Sequence, residues 1–204
     1  MENIIIKNVL IIGSGVMGSR IACYLSDVGL SVFLLDIIGN DKNRNSIVNS
    51  NLNKTIKSRP EPLLDKSNVH NITTGNIIDD INKIKDSDWI IEAVSEKENI
   101  KKEVLDIIEK NKKKESIVST NTSGLSINNL VKGRSKEFKE NFLGIHFFNP
   151  PRQLRLLEII PNKKTKKRIR DFFTDYCSKI LGKEVVLCKD CLLYTSDAAD
   201  DQAC

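Results

Sequence analysis

Apolar runs separated by glycine turns organise the first part of the chain. A mainly apolar run at Lys7–Ile12 predicts a strand, and Val16–Val28 carries apolar residues at helical spacing until Gly29 ends it. A second run, Ser31–Leu35, ends at Asp36. Neither run alternates regularly with polar residues, which is typical of strands buried on both faces of a parallel sheet. The pattern therefore predicts strand, turn, helix and strand.

Strands and helices continue to alternate along the rest of the chain. Further strands are predicted at 69–73, 89–94, 117–120, 141–148, 154–160 and 183–187, and further helices at 41–57, 79–85, 98–110 and 165–181. This alternation predicts an α/β fold with a Rossmann-type, doubly wound, mostly parallel sheet. No internal repeat is seen, and one such domain accounts for residues 1–190.

The composition narrows the classes of function. The 204 residues include 32 Lys or Arg, 27 Asp or Glu, five Cys and two His, with a net charge of +5. No apolar stretch approaches the ~18 residues of a membrane span, and no signal peptide is visible, so we expect a cytoplasmic protein without a membrane partner. Five Cys with only two His argue against a disulfide framework and a metal site. The positive charge fits nucleic acid or an anionic small molecule.

A glycine-rich turn lies between the first strand and the first helix. Its G-x-G-x-x-G pattern consists of Gly13, Ser14, Gly15, Val16, Met17 and Gly18. Such glycines permit a tight turn, close approach of a pyrophosphate to the backbone, and close helix packing, while the helix N-terminus attracts phosphate. Asp36 follows Gly18 by 18 residues, where an acid accepts ribose hydroxyls and repels a 2′-phosphate. We therefore predict NAD rather than NADP, the alternative being an ordinary loop beside an ordinary acid.

A second group of unusual residues follows residue 140. His146 ends a predicted strand, the position from which α/β sheets present their sites. Glu158 lies in a strongly apolar strand, where a carboxylate needs a partner. A His held by a Glu has a fixed tautomer and suits removal of a hydroxyl proton during hydride transfer, and Asn149 is able to orient a carbonyl or amide. The alternative is a structural His, the usual role of a lone His among apolar residues.

Taken together, these motifs resemble the NAD-binding domain of the L-3-hydroxyacyl-CoA dehydrogenases. The resemblance covers residues 5–190 and is carried by GSGVMG, Asp36, Glu92–Glu96, Ser119–Ser123 and HFFNP with Glu158. The stretches RPEPL, DWIIEAV, NTSGLS, GRS and HFFNPPR are most like the long bacterial fatty-acid β-oxidation members. In those members a crotonase-like, enoyl-CoA hydratase-type region follows the dehydrogenase part.

The resemblance implies roles at particular positions. His146 would be the catalytic base toward the 3-hydroxyl of an acyl-CoA thioester, Glu158 would orient it, and Ser123 would bind the substrate oxygen. Asn149 would contact the nicotinamide ribose region, and Glu96 and Lys101 would line the NAD site. From the residues alone, Ser123 equally suits a helix cap, and Glu96 and Lys101 equally suit a solvated helix face.

Two segments near the C-terminal end bear on the partners. The basic stretch KKTKKRIR at 163–170 has no interleaved aromatic residues, so we expect a solvated helix start, near CoA phosphates if near any ligand, and no nucleic acid. Residues 191–204 lack the Asn-Arg segment that would lead into the family's all-helical, dimer-forming domain, and they resemble a translated sequencing adaptor. We expect this tail to be non-native and the full-length parent to be a homodimer.

The sequence is compatible with three functions. The first is NAD-dependent oxidation of L-3-hydroxyacyl-CoA to 3-ketoacyl-CoA, impaired in turnover without the helical domain. The second is a catalytically inactive NAD-binding or structural protein on the same fold. The third is a dehydrogenase of a free 3-hydroxy acid or a sugar acid. The presence of His146, Glu158, Ser123 and Asn149 together favours the first.

Overall fold

A single eight-stranded sheet dominates the computed structural model, which describes residues 4–40 and 42–190. Its strands run in the order β3-β2-β1-β4-β5-β6-β7-β8, and every neighbouring pair is parallel except β6 and β7. The strands are β1 (Asn8–Ile12), β2 (Ser31–Asp36), β3 (Ile72–Asn76), β4 (Trp89–Glu92), β5 (Ile117–Thr120), β6 (Phe142–Phe147), β7 (Leu156–Pro161) and β8 (Glu184–Leu187). The predicted doubly wound, mostly parallel fold is confirmed.

Helices cover both faces of this sheet. They are α1 (Val16–Asp27), α2 (Ser46–Ile56), α3 (Lys83–Asp86), α4 (Glu98–Asn111), α5 (Ile127–Leu130), α6 (Lys136–Glu140) and α7 (Lys167–Lys179), with a 3₁₀ helix at Lys66–Asn71. Within the described residues, no helix has both the length and the apolar character needed to cross a membrane.

Alternate residues of β1 belong to two different cores. Val9 and Ile11 pack in the cluster that contains residues of α1 and α7, whereas Leu10 and Ile12 pack in the cluster that contains residues of α4. Because side chains of a strand point alternately to opposite faces, both faces of β1 must be apolar. This accounts for the nearly continuous apolar run in the sequence.

Several predicted boundaries were wrong, and local hydrogen bonds explain them. The strand predicted at 69–73 lies at Ile72–Asn76, because Asp65 caps a 3₁₀ helix that occupies the preceding residues. The helix predicted at 41–57 begins only at Ser46, since Asn40 accepts hydrogen bonds from the following backbone in a turn. The helix predicted at 79–85 is shortened to Lys83–Asp86.

Two short helices were missed, and one prediction falls outside the described residues. The helices α5 and α6 are capped by Ser126 and Ser135, whose side chains accept backbone hydrogen bonds from Asn129 and Phe138. The predicted non-native tail at 191–204 lies beyond the part of the chain that the structure describes.

The order of the strands places a crevice at the middle of the sheet, between β1 and β4. From β1 the chain first builds β2 and β3 on one side and then crosses to β4 and β5 on the other. Open α/β sheets bind ligands at such a switch point, outside the carboxyl ends of the strands. The glycine turn follows β1 at this point. The antiparallel pair β6 and β7 lies further along and brings His146 opposite Glu158.

Buried Lys183 ties down the connection between β6 and β7. Its ammonium donates to the carbonyl oxygens of Pro151 and Leu154, the latter at 2.8 Å, and lies 4.3 Å from the ring centroid of Tyr24. These partners are carbonyls and an aromatic ring rather than a carboxylate. Burial therefore lowers the pKa of Lys183 to about 8, with the neighbouring Cys177 acting weakly in the opposite direction.

This environment predicts a pH-dependent contribution to stability. The folded-state pKa lies below the usual value of 10.5, so between pH 8 and that value the unfolded state binds more protons and stability rises with pH. We expect Lys183→Met to lower Tm by roughly 3–6 °C at pH 7, because two buried carbonyls lose their donor, and by more at pH 9.5. Thermal unfolding of both proteins from pH 7 to 9.5 measures this. A deficit that shrinks with rising pH would contradict it.

Candidate active site

A cavity of about 870 Å³ opens at the carboxyl ends of the central strands. Its walls come from the glycine turn, the segments that follow β2, β4, β5 and β6, and one face of α4. Its lining includes Gly13, Gly15, Val16, Met17, Asp36, Glu96, Asn121, Ser123, His146 and Asn149. The cavity therefore joins most of the predicted cofactor residues with His146 and Ser123 in one space. The other predicted site residues do not line it: Ser14, Gly18, Lys101 and Glu158.

The glycine turn has one crowded side and one open side. A Cβ on Gly13 would lie 2.6 Å from the Ala93 carbonyl oxygen, and one on Gly18 would lie 1.8 Å from the Gly13 carbonyl oxygen. A Cβ on Gly15 would meet no atom within 4 Å, and Gly15 lines the cavity. The first turn of α1 carries no acidic side chain and no side-chain cap. Open space beside uncapped helix amides fits a pyrophosphate.

Asp36 lies where the adenosine ribose of a bound dinucleotide is expected. Its carboxylate accepts hydrogen bonds from the backbone amides of Ser14 and Ile37, each at 2.7 Å, and from the Ser14 hydroxyl. Asn51 in turn donates to the Ser14 hydroxyl at 3.0 Å. The carboxylate lines the cavity with acceptor capacity left over, since its two oxygens offer about four lone-pair sites. This arrangement suits ribose hydroxyls and disfavours a phosphate at the same place.

His146 and Glu158 form a hydrogen-bonded pair across β6 and β7. The Nδ1 atom of His146 lies 2.9 Å from Oε2 of Glu158, and the side chains are only 14% and 20% exposed. An ionised carboxylate can only accept, so Nδ1 carries the hydrogen and Nε2 is left as the basic nitrogen. The ring also packs against Phe148, with centroids 4.4 Å apart, and lines the cavity. An imidazole held in this way is able to act as a general base.

Glu96 contacts the loop that carries Ser123. One carboxylate oxygen accepts hydrogen bonds from the Thr122 hydroxyl and from the amides of Ser123 and Gly124 at 2.9 and 3.0 Å. Burial acts to raise the pKa of Glu96, but these hydrogen bonds and the charge of Lys101 outweigh it and hold the pKa below its usual value. Glu96 therefore remains ionised near neutral pH and supports the loop.

Lys101 lies beneath the cavity rather than on a solvated helix face. Its side chain is 1% exposed, and its ammonium lies 2.9 Å from Glu92 and 3.2 Å from Glu96. The solvated-face interpretation of Lys101 is therefore wrong. Its predicted role at the NAD site would act through Glu96, which itself lines the cavity.

Two residues of the site carried no assigned role in the sequence. Glu92 is fully buried at the end of β4, and the Asn121 side chain accepts a hydrogen bond at 2.9 Å from the amide of Phe147, next to His146. A charged residue that closes the apolar run of β4 was a visible signal for Glu92, of the same kind that identified Glu158. No comparable signal marked Asn121.

The basic stretch at 163–170 forms the turn that precedes α7 and the first turn of that helix. Lys166 pairs with Glu140 at 2.8 Å, while Ile169 faces the core. Over residues 4–40 and 42–190, no group of three or more His, Cys, Asp or Glu is placed to hold a metal ion. The sequence does contain one C-x-x-C spacing, Cys188 and Cys191, but Cys191 falls outside the described residues.

The fold, the glycine turn and the acid at the end of β2 define a dinucleotide-binding domain of the oxidoreductase type. Comparison with protein families matches residues 8–191 to the "3-hydroxyacyl-CoA dehydrogenase, NAD binding domain" family. The chain belongs to this family, and it is an NAD-binding domain.

Individual relatives agree with this assignment. The chain is 44% identical over 200 residues to a Bacillus subtilis protein and 41% identical over 186 residues to a Deinococcus radiodurans protein, each named "Probable 3-hydroxyacyl-CoA dehydrogenase". Both matches cover 91% of this chain but only 25% and 54% of the relatives. The crystal structure of (S)-3-hydroxybutyryl-CoA dehydrogenase from Ralstonia eutropha matches with a TM-score of 0.73 and 29% identity, covering 92% of this chain and 65% of that one. The chain thus spans a quarter to about half of these two curated relatives.

Proposed function

We propose that this chain is the NAD-binding part of an enzyme that oxidises an L-3-hydroxyacyl-CoA to the 3-ketoacyl-CoA in fatty-acid β-oxidation. The observation that carries the proposal is that His146, held by Glu158, lines the same cavity as the glycine turn. A hydride acceptor for the substrate carbon and an oriented base for its hydroxyl proton can therefore act on the same alcohol group. Family membership supports the acyl-CoA class of substrate.

The proposed chemistry divides between cofactor and protein. Bound NAD supplies the hydride acceptor. Nε2 of His146 takes the hydroxyl proton of the substrate, and Glu158 keeps Nδ1 protonated and stabilises the imidazolium that forms. Ser123 donates a hydrogen bond to the substrate oxygen. This arrangement lets the C–H and O–H bonds of the substrate break while the carbonyl forms.

The cofactor is held, in this proposal, by the backbone of residues 13–18 and by three side chains, with Lys101 acting through one of them. The amides of the turn and of the first turn of α1 bind the pyrophosphate, and Asp36 accepts the adenosine ribose hydroxyls. Asn149 contacts the nicotinamide ribose region. Glu96 borders the cavity directly and Lys101 supports it from below.

The proposal places the chain in a larger enzyme. Because the chain spans only 25% and 54% of the two curated relatives, we infer that acyl-chain contacts, dimer contacts and any hydratase-type region reside in additional polypeptide. The same observation supports the second candidate, a chain that binds NAD without turning substrate over. The two are separated by supplying the remaining segment.

Binding and turnover test the function in two stages. We expect the chain to bind NADH at least tenfold more tightly than NADPH, measured by cofactor fluorescence, because Asp36 repels a 2′-phosphate. A chimera in which residues 1–190 replace the aligned part of the Deinococcus radiodurans relative should oxidise NADH with acetoacetyl-CoA and far more slowly with acetoacetate. Turnover on the free acid alone would favour a dehydrogenase of free 3-hydroxy acids or sugar acids. Binding without turnover in the chimera would favour a catalytically inactive NAD-binding protein.

A further inference from the structure

We propose that Glu92 is a positioning residue that, through Lys101 and Glu96, fixes the loop carrying Ser123 against the cofactor cavity. The inference rests on the proposed function because it gives a purpose to the placement of Ser123. The buried carboxylate of Glu92 takes no part in the proposed hydride and proton transfers.

The first link is the set of contacts around Glu92 at the end of β4. The residue is completely buried, and its carboxylate accepts hydrogen bonds from the Val94 amide at 2.7 Å and from the Thr120 hydroxyl. Lys101 donates to both carboxylate oxygens, at 2.9 and 3.1 Å. Glu92 therefore fixes the chain as it leaves β4 and also holds the end of β5, and the loops that follow both strands border the cavity.

The second link runs from Lys101 to the Ser123 loop. The Lys101 ammonium lies 3.2 Å from Oε2 of Glu96, while Oε1 of the same carboxylate accepts the Ser123 and Gly124 amides. One buried cation thus bridges two carboxylates. Hydrogen bonds and ion pairs together therefore form a continuous path from β4 to the Ser123 loop.

The electrostatics explain why this arrangement specifies a position. Removing one member of a buried ion pair leaves an uncompensated charge, whereas replacing both by apolar or neutral groups is often tolerated. A buried pair is therefore weak support for stability as such, but it restricts where its partners lie. Because Lys101 is shared, loss of Glu92 would draw the ammonium toward Glu96 and shift the Ser123 amides, and displacements of about 1 Å at such a site lower reactivity and binding.

Three variants of the complete chain and one matched control test the proposal. Glu92→Gln keeps the shape and removes the charge, Lys101→Met keeps the length and removes the ammonium, and the third variant combines both changes. The control is Lys102→Met, the next residue of α4, whose ammonium pairs with Glu98 on the exposed surface at 2.6 Å. For each protein we would measure Tm, NADH affinity by fluorescence, and amide hydrogen exchange at Ser123 and Gly124 by NMR.

We expect each single variant to weaken NADH binding at least fivefold and to accelerate exchange at Ser123 and Gly124 at least tenfold, while the control changes neither. The double variant should recover Tm, because no buried charge remains unpaired, yet keep the weak binding and fast exchange. If Tm, NADH affinity and the exchange rates all recovered in the double variant, the pair would be purely structural and the proposal would be overturned. Unchanged exchange at Ser123 and Gly124 in Glu92→Gln would overturn it as well. If the unmodified chain bound no NADH, the proposed function would fail, while the exchange data would still decide the positioning role.

Discussion

Replacing His146 by alanine should lower acetoacetyl-CoA-dependent NADH oxidation in the chimera by about 10²–10⁴-fold, the usual contribution of a general acid or base. In the direction of ketone reduction, protonated His146 donates the proton that the forming alcohol oxygen requires. Without the imidazole, water must serve instead. NADH affinity should change by less than about threefold, since the proposed cofactor contacts lie elsewhere in the cavity.

The chain provides its own control for this experiment. His70, the other histidine, is exposed on the 3₁₀ helix, so His70→Ala should leave turnover unchanged. Glu158→Gln should give an intermediate loss of about 10–100-fold, because glutamine can still accept the Nδ1 hydrogen but cannot stabilise the imidazolium by charge. Retention of more than a tenth of the turnover by His146→Ala would refute the assignment of the base.

The central part of the fold could be predicted because local signals and tertiary structure agree there. Gly29 marks the end of α1 to within two residues, and the apolar run before Gly13 corresponds to a strand covered on both faces. At β3 the local signal was misleading. β-Branched residues at 69–73 favoured a strand, but Asp65 caps a 3₁₀ helix that occupies part of this range. Short capped turns of this kind carry too few residues for their periodicity to be recognised.

The site was predictable in its residue types, and the family resemblance also paired Glu158 with His146, but the residues alone did not establish which side chains meet. Glu158 was identified as needing a partner, yet its register with His146 depends on how β7 returns antiparallel to β6. Lys101 could not be separated from a solvated lysine, because its burial results from Glu92 and Glu96 on other segments. Long-range ion pairs leave no periodic trace in the sequence. The assigned roles of the site residues remain predictions that the variants must test.

Two glycine substitutions in the same turn should both weaken NADH binding, but only one of them should destabilise the fold. In Gly18→Ala the new Cβ would lie 1.8 Å from the backbone oxygen of Gly13, which no side-chain rotation can relieve. We expect α1 to be forced away from β1, at a cost of about 1–3 kcal/mol or more. This corresponds to a decrease in Tm of roughly 2–12 °C, with loss of NADH binding as a consequence.

Gly15→Ala should instead leave the fold intact and block the cofactor. Its Cβ would meet no protein atom within 4 Å, and the backbone φ of −58° is one that alanine adopts freely, so Tm should stay within about 2 °C of the unsubstituted chain. The methyl group would occupy the open side of the turn, where the pyrophosphate must approach the backbone. NADH affinity should therefore fall more than tenfold. Unimpaired binding by Gly15→Ala would show that the cofactor does not approach this face, and the proposed site would be wrong even though the fold is right.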